Sequence, residues 1–233
     1  MASTLRKVRY DSARACQELS ASDPRMARLI AQAGPFALRL KPTHSTFEAL
    51  LESIVYQQLH GRAARSIHGR VLDLFPEGIA TPQMVASLTD EVLRAAGLSA
   101  NKLAAVRDLA EKSLSGIVPT LAALHRMPDD EVCDRLSAVR GIGVWTAQML
   151  LIFRMGRPNV LPVSDYGVRK GFALTIGKLR PGMPVDLADL PDAATMERRA
   201  KRWQPWHSVA SWYLWRACDL AVDPESKRLP RQP

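Results

Sequence analysis

Between Val139 and Asp165 the chain reads VRGIGVWTAQMLLIFRMGRPNVLPVSD, which sets a glycine pair, an apolar run and an isolated carboxylate at fixed spacing. In Gly141-Ile142-Gly143 both glycines are free to take positive φ and to let another backbone come close, while Ile142 anchors the turn underneath. The run from Val144 to Phe153 lacks Gly and Pro and reads as a buried helix. Its first N–H groups have no partner within the helix and face the hairpin, an arrangement suited to holding a phosphate. After the Gly/Pro-rich loop Gly156–Ser164, Asp165 stands directly before Tyr166-Gly167-Val168-Arg169-Lys170. A carboxylate there can cap a helix or do chemistry, and the two roles are compatible.

The elements that must position these groups are helices. Asp129 or Asp130 is placed to cap a helix reaching about Ala138, so the stretch reads helix, hairpin, helix. Ser45 caps a run through Phe47, Leu50, Leu51, Ile54 and Val55, and Thr81-Pro82 is a cap followed by proline at the first helical position. Thr89 opens a short helix closed by Gly97. Ser99 begins another, in which Leu103, Val106, Leu109, Ala110 and Leu114 recur at helical spacing. No run alternates as a strand should, so the fold class is all-α. The stretches 156–162 and 177–184 read as interhelical loops, and the tail beyond Pro224 is expected to fray.

The chain has 233 residues and 47% hydrophobic content, enough for one or two compact cores. No segment reaches membrane-spanning length, and the opening MASTLRKVRYDSARACQ lacks the apolar core of a secretory signal. The formal net charge of +9 suits either a polyanionic partner or simple solubility. Cys16, Cys133 and Cys218 lie far apart without metal-ligand spacing, which fits buried thiols in a reducing compartment.

Hairpin, loop and Asp165 together resemble the helix-hairpin-helix DNA glycosylase superfamily. Gly-Val-Trp-Thr-Ala at 143–147 and Pro-Val-Ser-Asp at 162–165 are most similar to its alkylation-repair branch, 3-methyladenine DNA glycosylase II. Two further matches are Ile54-Val55-Tyr56-Gln57-Gln58-Leu59-His60 and the segment from Trp203 to Arg216. With the Gln57-Gln58 region so early, the chain resembles the compact form without an extra N-terminal sheet domain. The cysteine spacing argues against the iron–sulfur branches of the superfamily.

The resemblance implies two helical lobes with the active-site cleft between them, one of about 1–45 plus 175–233 and the other of about 46–174 with the hairpin at 137–146. It implies a monofunctional enzyme that flips an alkylated purine out of the duplex and hydrolyses its N-glycosidic bond. Asp165 would stabilise the cationic sugar, and Trp145, Trp215, Tyr166 and Met149 would line the base pocket. Gln58 would fill the vacancy, with Gln57 and His60 beside it in the groove. Gly141, Gly143 and the Thr146 hydroxyl would hold a phosphate, and Lys102 and Arg140 are either strand contacts or solvated surface charges. Bifunctional relatives carry a lysine where this chain has Trp145, which implies water as the nucleophile. Carbonyls of Ser137, Val139 and Ile142 match a structural monovalent cation site; no cofactor or catalytic metal is implied. The implied partner is double-stranded DNA bound by a monomer, in the cytoplasm or nucleoid of a bacterium or the nucleus of a eukaryote. The alternatives are a hairpin module that binds DNA without catalysis, or a glycosylase for another lesion class. For Trp203, Trp206 and Trp212, core packing is the preferred reading.

Overall fold

Polar side chains open most of the helices. In the computed structural model, which describes residues 5–177 and 179–222, the α-helices are α1 (Ser12–Ser22), α2 (Pro24–Ala33), α3 (Thr46–Tyr56), α4 (Gly61–Leu72), α5 (Pro82–Ser87), α6 (Asp90–Ala95), α7 (Ala100–Leu114), α8 (Leu121–Leu124), α9 (Asp129–Ser137), α10 (Val144–Leu150), α11 (Tyr166–Thr175), α12 (Ala193–Ala200) and α13 (His207–Val222). Ser45, Thr81 and Ser99 each accept the N–H three residues on and open α3, α5 and α7, as their side chains dictate. At α9 the expectation needs correction: Asp129 and Asp130 lie inside its first turn after Pro128, where their charge favours the helix dipole. The other correction is a short antiparallel pair, β1 (Arg6–Lys7) with β2 (Arg39–Leu40). The expected fraying beyond Pro224 falls outside the described residues. Among the described residues no helix is long and apolar enough to cross a membrane.

Among the described residues, those up to Pro42 and from Leu151 onward form one unit, and Thr43–Leu150 form another. The sequence reading places 151–174 with the hairpin, whereas the structure groups them with the terminal segments. The cause is packing: α11 lies along α13, and Phe153 meets Trp215 with ring centroids 5.4 Å apart. In the 43–150 unit, α3 packs on α7, burying Phe47, Leu50, Leu51, Ile54 and Val55 against Leu103, Val106, Leu109 and Ala110. Each fully buried aliphatic side chain there contributes about 1.5–3 kcal/mol of transfer free energy. Leu114, on the same stripe, sits at the end of α7 and is exposed.

The terminal unit is tied by one buried carboxylate. Asp23 is 0% exposed, caps α2 through Arg25 N–H, and accepts Arg199 at 2.8 and 2.6 Å and the Trp203 indole N–H at 3.0 Å. Burial alone would raise this carboxyl, but Arg199, Trp203 and Arg25 outweigh it and hold it below the usual carboxylate range. A depressed carboxyl stabilises the fold above its unfolded pKa and loses that contribution as pH falls through the folded one, below about 4. Arg199→Gln is expected to lower unfolding free energy by about 2–3 kcal/mol, the two remaining donors moderating the cost of an unpaired buried charge. Urea unfolding at neutral pH measures this, and the gap between wild type and variant should narrow below pH 4.

Candidate active site and nucleic-acid interface

The hairpin joins α9 to α10 inside the 43–150 unit. Gly141 takes φ +77°, a conformation that a residue with Cβ rarely adopts, and Ile142 is buried beneath the turn. Gly143, expected to share that freedom, has no positive φ. Its carbonyl accepts Ala147 N–H as the first bond of α10, and a Cβ there would meet nothing within 4 Å. The open space lies at the start of the helix, where anions are favoured. Thr146 is buried, while Trp145 stands 37% exposed beside it and Met149 is buried a turn later.

Contacts from α7 fix the hairpin from behind. Asp108 accepts the Arg140 backbone N–H at 2.6 Å and the Lys112 ammonium at 2.8 Å, and Lys112 also donates to the Ala138 carbonyl. Burial alone would raise the Asp108 carboxyl, but these donors outweigh it and hold it low. The sequence reading missed this pair, although Asp108 and Lys112 stand four apart on one helix, the spacing of an ion pair. The side chain of Arg140 is exposed.

Where α3 ends, Gln57 donates its amide N–H to the Gly141 carbonyl at 2.7 Å, so the loop 57–60 is tied to the hairpin. Gln58 is exposed and held at φ +56°, a left-handed conformation that costs a non-glycine residue about 1–2 kcal/mol. Leu59 and His60 are exposed next to it, and His60 precedes α4. Lys102, read from the sequence as a strand contact or a solvated charge, has its ammonium donating to the Val55 carbonyl at 2.6 Å, at the C-terminal end of α3. Partial burial pushes that ammonium's pKa down.

Ser137, Val139 and Ile142 lie on one turn. The Val139 carbonyl accepts Ile142 N–H at 3.0 Å, and the Ser137 hydroxyl is buried without a hydrogen-bond partner. An all-oxygen donor set with an orphaned hydroxyl fits a hard monovalent cation. Among the described residues no group of three His, Cys, Asp or Glu side chains is placed to hold a metal ion. The three cysteines are free, and burial pushes the thiols of Cys133 and Cys218 up to about 11.

Asp165 belongs to the terminal unit. Ahead of it, Leu151–Met155 form a π-helical turn, a rare element that often marks functional sites. The loop that follows is pinned to the start of α13: the Ser208 hydroxyl donates to Arg157 O at 2.6 Å and accepts Val160 N–H at 3.0 Å, while Ser208 N–H reaches Pro158 O. Asp165, 8% exposed, then caps α11 by accepting Val168 N–H at 2.8 Å. The same oxygen, Oδ1, accepts the Trp215 indole N–H at 2.8 Å. Trp215, expected as a pocket wall, is 9% exposed and presents this N–H to the carboxylate. Gly167 makes room for it, since a Cβ there would stand 2.7 Å from Trp215 Cδ1 and 3.2 Å from Asp165 Oδ1. Tyr166, next to the carboxylate, is 50% exposed. As the core-packing reading holds, Trp203 and Trp212 are buried; Trp206 is half-buried and donates to Glu18. Two donors on one oxygen fix a carboxylate in place, which is what stabilising a developing positive charge requires.

Residues 51–178 match the family described as HhH-GPD superfamily base excision DNA repair protein. DNA-3-methyladenine glycosylase 1 of Schizosaccharomyces pombe is 31% identical over 205 residues, covering 87% of this chain and 86% of the relative. The solved structure of the S. pombe 3-methyladenine DNA glycosylase Mag1 in complex with abasic DNA superposes with a TM-score of 0.75 at 28% identity, over 92% of this chain and 100% of that one. A DNA-3-methyladenine glycosidase from Bacillus halodurans gives a TM-score of 0.77 at 32% identity, over 90% of this chain and 89% of its own. With more than half of its length matched, and a relative above 30% identity aligned along most of both chains, this chain belongs to the HhH-GPD superfamily of base excision DNA repair proteins.

Proposed function

We propose that this chain is a monofunctional DNA glycosylase that excises alkylated purines, such as 3-methyladenine and 7-methylguanine, from double-stranded DNA and leaves an abasic site. The observation that carries the reading is Asp165, a carboxylate held at one oxygen by Val168 N–H and the Trp215 indole at the start of α11. Cleavage of the glycosidic bond builds positive charge on the sugar, and a fixed carboxylate lowers the energy of that state and orients the attacking water. The 3-methyladenine glycosylases aligned along this chain support the substrate class.

Trp145 supplies an exposed aromatic face on which an electron-poor alkylated base stacks well. Met149, on the same helix as Trp145, is assigned to the base, and Tyr166, exposed beside Asp165, to the sugar or base. Gly141 and Gly143 with the first N–H groups of α10, and the Thr146 hydroxyl, hold a backbone phosphate, and Gln58 fills the space left by the flipped base with His60 beside it. A cation bound by the carbonyls of Ser137, Val139 and Ile142 would add positive charge to the hairpin. A cationic alkylated purine leaves without a dedicated general acid, so neutral lesions such as hypoxanthine react more slowly. The enzyme acts as a monomer, in the cytoplasm or the nucleus according to the cell.

The test is base release from methylated duplex DNA, scored directly and after alkali. Strand breaks that require alkali, with no adduct trapped by borohydride, are the expected result. Breaks without alkali, or a trapped covalent adduct, would overturn the monofunctional assignment. Absence of released base would leave a DNA-binding protein without this chemistry.

A further inference from the structure

Within the 43–150 unit, one helix grips both structures to which the proposed function assigns DNA contact. At one end of α7, Lys102 holds the Val55 carbonyl just before the loop 57–60. At the other, Asp108 and Lys112 hold Arg140 N–H and the Ala138 carbonyl of the hairpin. Between them Ala105 packs under Gly141, its Cβ 3.6 Å from where a Gly141 Cβ would stand. Gln57 closes the frame by donating directly to the Gly141 carbonyl. The loop inside this frame contains Gln58 in its left-handed conformation, which persists only where the surroundings over-determine it.

We propose that α7 and Gln57 form a strut that sets the spacing between Gln58 and the phosphate-binding hairpin, making Gln57, Lys102, Asp108 and Lys112 positioning residues for base extrusion. The proposal rests on the reading that Gln58 enters the duplex and the hairpin holds a phosphate. Successive phosphates on one strand are spaced by about 3.4 Å of helix rise, so a plug and a phosphate clamp in one unit act on one nucleotide only when their separation is fixed. A misplacement of about 1 Å is enough to cost roughly a hundredfold. Gln57, read from the sequence as a DNA contact, and Lys102, read as either a strand contact or a solvated charge, have their polar heads turned to backbone carbonyls of the protein itself.

The experiment compares affinity for a duplex carrying a tetrahydrofuran abasic analogue with affinity for the same undamaged duplex, across a salt series. Wild type is expected to prefer the abasic analogue. In Gln57→Ala that preference should fall about tenfold, the size of one lost hydrogen bond, while the salt slope stays that of wild type and the unfolding temperature falls by no more than about 5 °C. Lys112→Met should act in the same direction, and the double variant should lose less than the product of the single losses, because the two residues hold ends of one frame. Equal weakening of Gln57→Ala on both duplexes, or a shallower salt slope in Lys112→Met, would make these residues direct DNA contacts and overturn the strut. So would a lowered unfolding temperature with the preference intact, or losses that multiply. If wild type itself shows no preference and releases no base, the glycosylase reading fails first, visibly and before any variant is made, and the strut falls with it.

Discussion

Asp165→Asn is expected to lower the single-turnover rate of base release from methylated duplex DNA by about a thousandfold, with the protein still folded and still bound to DNA. A unit positive charge about 4 Å from a carboxylate, at the effective dielectric of a partly buried site, is stabilised by about 4 kcal/mol, which corresponds to three decades of rate. Asn keeps the shape and retains an oxygen that accepts Val168 N–H and the Trp215 indole N–H, so both contacts survive. Asn and Asp are also nearly equal as helix caps, and the thermal unfolding temperature should therefore change little. Affinity for a tetrahydrofuran duplex is the control and should hold within a few-fold. A variant that releases base at a tenth of the wild-type rate or faster would remove Asp165 from the chemistry.

Gly171→Ala should unfold the terminal unit at markedly lower temperature. A Cβ at Gly171 would stand 1.9 Å from the Leu214 carbonyl oxygen, 2.5 Å from its carbon and 2.9 Å from its Cα. All three are backbone atoms of α13, so no rotamer change relieves the overlap and α11 must move away bodily. Overpacking in a core costs typically 1–3 kcal/mol and more where nothing can yield; about 4 kcal/mol is expected here. For a chain of this length that is a fall of roughly 8–16 °C. Because Trp215 adjoins Leu214, the same displacement stretches the indole bond to Asp165, and base release should fall with stability. An unfolding temperature within a degree or so of wild type would show that the two helices are not held at this contact.

What the sequence made legible is what local chemistry determines. Ser45, Thr81 and Ser99 open their helices because a side-chain oxygen reaches an N–H three residues away, a contact that needs no tertiary structure. The glycine at 141 was readable because its conformation excludes other residues, and Asp165 because a cap must stand where its helix begins. The partners that hold the site in place were not readable. Trp215 meets Asp165 across fifty positions, Gln57 meets Gly141 across eighty-four and Lys102 meets Val55 across forty-seven. Lys102 shows the limit well: from sequence a lysine near a basic surface is a phosphate contact or a solvated charge, and only packing reveals a helix-end carbonyl as its acceptor. The π-helical turn at Leu151–Met155 was hidden for a different reason, since an apolar run is equally compatible with an α-helix, and with it went the place where the chain divides into units.

The position of Asp165 has a consequence for how such a chain ages in evolution. Its cap bond holds α11 and its charge is assigned the chemistry, yet only the second needs an aspartate; Asn or Ser would satisfy the first almost as well. Selection for a folded, abundant, DNA-associated protein therefore does not protect the reactive group. Lineages in which the damage it removes is rare can drift to a silent form one substitution away, with the same backbone, stability and affinity. Ancestry and shape would pass such a descendant as an enzyme, and the identity of one side chain would be the only mark of its retirement.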